Sequence, residues 1–259
     1  MATILDRIFK TKQQEVAELL THHPLAELEK AARLAPAPRD FLGQMAKPGI
    51  RVIAEVKKAS PSAGVLRNPF IPGEVAKSYA DHGAACISVL TDKDYFQGCL
   101  QDLEGVRSTV TLPALRKDFL IDPAQVFEAR IHGADAILLL AEILTDAQLV
   151  HLHGLAVGLG MAVLVELHET ASVEKVLAVK PHLVGVNNRD LRTFEVRLDH
   201  TLELAERFPP ETMLVSESGI KTAADIRKLM AGGVRRFLVG EAFMRSSSPG
   251  EKLAELIAV

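Results

Sequence analysis

Residues 134–167 read ADAILLLAEILTDAQLVHLHGLAVGLGMAVLVEL, and this stretch decides the architecture. AILLL (136–140) is an apolar run too short for a helix, and AVLVEL (162–167) is a second run of the same kind. Between them TDAQLVHLHGLAVGLG (145–160) has helical period, with Thr145 and Asp146 as start signals and Gly160 at its end. Strand, helix, strand in this order predicts two neighbouring parallel strands.

The unit repeats outward in both directions. VIAEV (52–56), ACISVL (85–90), PALRKDF (113–119), LVGVNN (183–188), MLVSES (213–218) and RFLVGE (236–241) complete a set of eight runs with the two above. Several of the intervening segments end in HGA or AGGV just before the next run, as expected where glycine follows a helix end. Eight βα units are what closure into a (β/α)8 TIM barrel requires, with an open doubly wound sheet as the alternative. Residues 1–45 precede the first strand. Ile4, Leu5, Ile8, Phe9, Val16, Leu19 and Leu20 fit one helical face, and Pro24, Pro36 and Pro38 then interrupt it. The expectation is one barrel domain over 1–259, with 1–45 an N-terminal helical extension that plugs or covers the barrel.

Composition narrows the function classes. A chain of 259 residues, 48% hydrophobic, can bury a core of barrel size. A net charge of -3 leaves no basic footprint for nucleic acid. The opening MATILDRIFKTKQQEVAELL is charged every few residues and has no signal-peptide apolar region, and no run is long enough to span a bilayer. A cytoplasmic protein is therefore expected. Cys86 and Cys99 form neither a disulfide framework nor a zinc pattern, and Cys86 reads as a core residue.

Chemistry in such barrels sits at the C-terminal ends of the strands and in the loops that follow. Side chains alternate along a strand, so Ile53, Glu55 and Lys57 share one face while Ala54, Val56 and Lys58 share the other. The third strand adds Lys117 and Phe119, the fifth Glu166 with His168 beyond it, the sixth Asn187 and Arg189, and the seventh Glu217, Ser218 and Gly219. Carboxylates and ammoniums buried in one pocket must pair or shift their pKa values, which is how a site obtains an acid and a base near neutral pH. His168 reads as a rim residue, His151 and His153 as solvent-exposed on a helix, Arg189 with Asp190 as a rim ion pair if not part of the site, and Lys58 and Asp118 as facing the helices. The loops after strands seven and eight, ESGI (217–220) and VGEA (239–242), offer small residues and backbone N–H groups where barrels hold phosphate, and Ser60 and Ser62 add hydroxyls. The Glu241 side chain is expected to point away. GLGMAV (158–163) mimics a dinucleotide-binding glycine pattern but follows a helix instead of a strand, so it reads as a loop. No motif calls for a metal or an organic cofactor, and neither is expected.

Taken together, IAEVKKASPSAG, VLTDKDYFQG, LPALRKDFLID, LLLAEIL, VLVELHE, VGVNNRDL, VSESGI, FLVGEAFM and the N-terminal DRIFKTKQQEVAEL resemble the indole-3-glycerol phosphate synthases over nearly the whole chain. The resemblance implies that 1-(2-carboxyphenylamino)-1-deoxyribulose 5-phosphate is closed to an indole, with loss of CO2 and water. It implies Lys117 as general acid at ring closure, Glu166 and Lys57 as carboxylate and second lysine for dehydration, and Glu55 as a carboxylate that positions its neighbours. Asn187 and Arg189 become polar contacts to substrate with Glu217 close by, and Phe96 and Phe119 pack on the anthranilate ring. Ser60, Ser218, Gly219, Gly240 and the Glu241 backbone lie on the phosphate side, and the N-terminal helix covers the mouth. A phosphorylated small molecule is the expected partner of a monomer or weak homo-oligomer, with another enzyme of the pathway as a candidate partner. The alternatives are a phosphoribosylanthranilate isomerase-like barrel, a Schiff-base aldolase-like barrel and a silent binder of a phosphate metabolite.

Overall fold

The computed structural model describes residues 3–190 and 192–259. Its parallel strands are β1 (Arg51–Val56), β2 (Cys86–Leu90), β3 (Ala114–Lys117), β4 (Ala136–Leu140), β5 (Ala162–Leu167), β6 (Leu183–Asn187), β7 (Met213–Glu217) and β8 (Arg236–Val239). Ile53 of β1 sits opposite Cys86 on one side and Leu238 on the other. The sheet is therefore a closed (β/α)8 barrel, and the open alternative is excluded. The strands alternate as the sequence predicts. Ile53, Leu115, Leu164 and Leu238 fill the barrel interior, whereas Val52, Ala54 and Val56 pack outward against the helices.

Around the barrel run α4 (Pro72–Asp81), α5 (Leu100–Thr109), α6 (Pro123–Ile131), α7 (Asp146–Gly158), α8 (Val173–Ala178), α9 (Asp199–Ala205), α10 (Ala223–Ala231), α11 (Glu241–Met244) and α12 (Pro249–Ile257). Local chemistry starts and stops them. Capping boxes open α6 at Asp122 with Gln125, α7 at Thr145 with Gln148, and α10 at Thr222 with Asp225. Gly133 and Gly233 take left-handed φ values of 84° and 89°, which turn the chain from a helix end straight into the next strand. Two strands are shorter than the sequence suggests by more than one residue. β3 stops at Lys117, where Asp118 accepts the N–H of Phe119, and β8 stops at Val239, where the Gly240 carbonyl begins α11.

Residues before β1 form α1 (Ile4–His22), α2 (Leu25–Leu34) and α3 (Phe41–Ala46). Only α1 covers the mouth, so the expectation for 1–45 needs correction. Helix α2 lies on the barrel's flank, with Leu28 and Ala32 against Ala124 and Phe127 of α6. Helix α3 closes the opposite end. Its Phe41 and Met45 enter the interior beside Ile53, Cys86 and Leu115. There Arg51 and Arg236, at the starts of β1 and β8, donate to the carbonyls of Gln44 and Met45, each at 2.8 Å. The apolar face assigned to α1 also needs amendment: Leu20 is exposed, and Lys12 is buried between Ile8 and Val16. Among the described residues, no helix is long and apolar enough to cross a membrane.

The plug at the bottom of the barrel is expected to serve stability and not turnover. Phe41→Ala should lower the unfolding free energy by about 3–5 kcal/mol, read from the urea midpoint, while turnover per folded molecule stays unchanged.

Candidate active site

The C-terminal ends of the strands open into a cavity of about 1070 Å³. It takes Glu55 and Lys57 from β1 and its loop, Lys117 from β3, Glu166 from β5, Asn187 from β6 and Glu217 from β7. The structure brings together all the acid, base and amide side chains that the strand-end reading singled out.

These groups form two linked ion pairs. Lys117 Nζ lies 2.6 Å from Glu166 Oε2 and 3.6 Å from Glu217 Oε2. Asn187 Nδ2 donates to the other Glu166 oxygen at 2.9 Å. Lys57 pairs with Glu55 at the edge of the same pocket. Burial opposes the charge on Lys117, but Glu166, Glu217 and Glu55 outweigh it and raise its pKa above the ordinary lysine value. Burial likewise opposes ionisation of Glu166, yet Lys117 and the hydrogen bonds from Lys117 and Asn187 hold its pKa down. Glu217 goes the other way. Burial and the neighbouring Glu166 raise its pKa well above 4.5, against the pull of Lys117. Glu217 Oε1 is buried without a hydrogen-bond partner, so burial beside Glu166 favours the protonated form of Glu217.

Two glycines make room for these carboxyls. A Cβ at Gly185 of β6 would overlap Glu217 Oε1, and a Cβ at Gly240 would overlap Glu55 Oε2. Behind the sixth and seventh strand ends, Asn188 donates to Ser216 Oγ (2.9 Å) and to the Ser218 carbonyl (3.1 Å), while its own carbonyl oxygen accepts from Thr201. This buried network fixes the turn at Ser218 and Gly219, where φ is 67° and 81°.

One end of the cavity is aromatic. Phe96 and Phe119 stand 6.1 Å apart, tilted by 40°, and Leu5 and Ile8 of α1 line the roof. The other end is polar and carries Ser60, Ser218, Gly219 and Gly240. Glu241 corrects the sequence reading. Its carboxylate does not point away but lines the cavity, bound to Arg189 at 3.3 Å and Arg245 at 3.1 Å. Arg189 thus belongs to the site, and Asp190 pairs with Arg192 instead. Three further cations line this end, Lys221, Arg245 and Lys252, together with Phe194. The sequence gives no cue to them, because they lie past the strand ends on loops and helix starts. His168 is half-buried and donates from Nδ1 to the Asn187 carbonyl at 2.7 Å, so it braces β6 from the rim. His151 is exposed as expected, whereas His153 is half-buried.

A family model described as indole-3-glycerol phosphate synthase matches residues 5–256. The chain is 51% identical to an indole-3-glycerol phosphate synthase of a Polaromonas species (strain JS666), with 100% of both chains covered. It is 50% identical to that of Polaromonas naphthalenivorans, with 99% of both covered. Among solved structures it superposes on N-acetylmannosamine-6-phosphate 2-epimerase from Clostridium perfringens with a TM-score of 0.62 at 15% identity, over 79% of this chain and 90% of that one. A mandelate oxidase gives 0.59 at 14% identity, over 90% and 91%. At such identities these two show the barrel alone.

The protonated state of Glu217 has a thermodynamic signature. A carboxyl whose pKa is raised by folding stabilises the fold below its unfolded value, and that contribution is lost as pH rises through the folded value. Glu217→Gln mimics the protonated form at every pH. It should leave the melting temperature unchanged near pH 4.5 and raise it over wild type increasingly toward pH 8; a constant difference across that range would refute the assignment.

Proposed function

The chain belongs to the indole-3-glycerol phosphate synthase family, and from that premise we propose how its residues divide the reaction. The enzyme closes 1-(2-carboxyphenylamino)-1-deoxyribulose 5-phosphate to indole-3-glycerol phosphate, CO2 and water, a step of tryptophan biosynthesis. The carrying observation is Lys117, held protonated by Glu166 with Glu217 close by, at the centre of a cavity aromatic at one end and lined by arginine and lysine at the other.

The substrate has the matching polarity. Its carboxyphenyl group packs against Phe96 and Phe119, and its phosphate lies along Ser60, Ser218, Gly219 and Gly240, with Arg189 and Arg245 nearby. Attack of the ring carbon on the ribulose carbonyl turns the carbonyl oxygen into an alkoxide, and Lys117 protonates it. A lysine bound this firmly is a reluctant donor, but an alkoxide is basic enough to take the proton. Lys57 holds the carboxylate at the edge of the pocket until the C–C bond breaks, CO2 leaves and the ring regains aromaticity. Loss of the new hydroxyl as water then needs a proton delivered to it and one withdrawn from the ring-nitrogen side. Lys57 is the donor and Glu166 the base, with Glu55 fixing Lys57 and Asn187 fixing Glu166. Helix α1 keeps bulk water from the intermediates.

The pairing disfavours a Schiff-base mechanism, which needs a neutral, desolvated lysine as nucleophile. Glu166, 2.6 Å away, keeps Lys117 charged instead. The same reading puts the protein in the cytoplasm, acting on a diffusible phosphorylated substrate as a monomer or weak homo-oligomer.

Turnover is followed by indole fluorescence with the purified protein and this substrate in EDTA. Lys117→Ala should reduce kcat by about 10²–10⁴-fold, the usual contribution of a general acid. A loss below about tenfold would remove Lys117 from that role.

A further inference from the structure

Lys12 is the charged residue that α1 buries. Its Nζ lies 2.8 Å from Asp92 Oδ2 and 2.9 Å from Asp118 Oδ1, with Glu15 of its own helix also at 2.9 Å. Asp92 and Asp118 follow β2 and β3 at the mouth, and each has a second task. Asp92 Oδ1 accepts the backbone N–H groups of Tyr95 and Phe96, at 2.8 and 3.1 Å. Asp118 Oδ1 accepts the N–H of Phe119 at 2.8 Å, while its Oδ2 is held by Arg116 and Thr91. Beside Lys12, Thr11 shares a hydrogen bond of 3.1 Å with the Tyr95 hydroxyl. One ammonium on the covering helix thus bridges the two carboxylates that set the backbone of the two aromatic walls.

A buried ionic contact is a weak stabiliser compared with a well-packed apolar side chain, and its best-attested use is to specify one geometry. Asp92 and Asp118 are buried and need a cation, and for Asp92 it comes from the covering helix and not from the strand or loop that carries it. We propose that Lys12 is a positioning residue that couples docking of α1 to the ordering of Phe96 and Phe119, so that the mouth closes and the aromatic end forms as one event. The proposal rests on the functional reading above, because it assigns the carboxyphenyl group to that end.

The test uses the full chain, with anthranilate and inorganic phosphate as competitive inhibitors that probe the two ends separately. In Lys12→Met the inhibition constant for anthranilate and the KM for substrate should rise at least about fivefold, the lower range of energetic coupling between sites. The constant for phosphate should stay within about twofold of wild type. A merely structural Lys12 would lower the amount of active enzyme, and so kcat, and leave both constants alone. That outcome, or an equal rise in both, overturns the proposal. Lys12→Met/Asp92→Asn removes opposite charges together and keeps an acceptor for Tyr95 and Phe96. It should show the same selective loss, and its failure to fold would mark Lys12 as structural and overturn the proposal. Failure of anthranilate to compete in the wild-type chain would also overturn it. Absence of substrate turnover by the wild-type chain would instead overturn the functional reading itself, and the proposal with it.

Discussion

The ladder between β1 and β8 turns a row of strands into a ring, and every distance in the active site depends on it. Arg51 to Ala54 pair with Arg236 to Val239 in unbroken register. Because β1 also pairs with β2, no edge is left, and the eight C-terminal ends must point into one space. Glu55 therefore lies over Gly240, although 185 positions separate them in the chain. Across the same ring, Lys117 meets Glu166 from β5 and Glu217 from β7. An open sheet with identical strands would scatter these groups along its edge.

Once closure has gathered the charges, burial forces them to settle accounts with one another. Two lysines cannot be left alone in a pocket of low polarity, and neither can three carboxylates. The pocket eases this by favouring the protonated form of Glu217 and by pairing Lys117 with Glu166 and Lys57 with Glu55. Glu241 plays the same part at the other end, where it holds Arg189 and Arg245 in place. The arriving substrate, anionic at both of its ends, enters a site whose charged groups are already paired and held in place. Preorganisation of this kind spares the enzyme rearrangement at the moment of reaction.

Much of this was legible in the sequence, because barrels obey two simple periodicities. Alternation along β1 placed Glu55 and Lys57 inward with Ile53, and apolar runs punctuated by glycine marked eight units. The polar residues at the run ends then fell where the fold does its chemistry. What escaped has a common physical cause: contacts between segments far apart in the chain. Lys12 falls on the apolar stripe of its helix, four residues from Ile8 and from Val16, and no local pattern shows that two aspartates wait 80 and 106 residues away. Glu241 looked unsuited to an anion site because its partner Arg189 lies on a different loop, 52 residues earlier. The division of residues 1–45 between the two ends of the barrel was equally hidden, since nothing local separates a helix that roofs the mouth from one that plugs the base.

The plug has a consequence for how the protein comes into being. Helix α3 belongs to the first part of the chain to be made, yet its Met45 carbonyl is bound by Arg236 at the start of the last strand, 191 residues later. Phe41 and Met45 need an interior that exists only after all eight strands have closed. Residues 41–46 are made before any of the eight strands, so their apolar face has no complete interior to enter until the final strand is made. Contacts of such long sequence separation make folding slow and leave an aggregation-prone surface exposed meanwhile. The base of this barrel is sealed by a segment that precedes every strand it packs against.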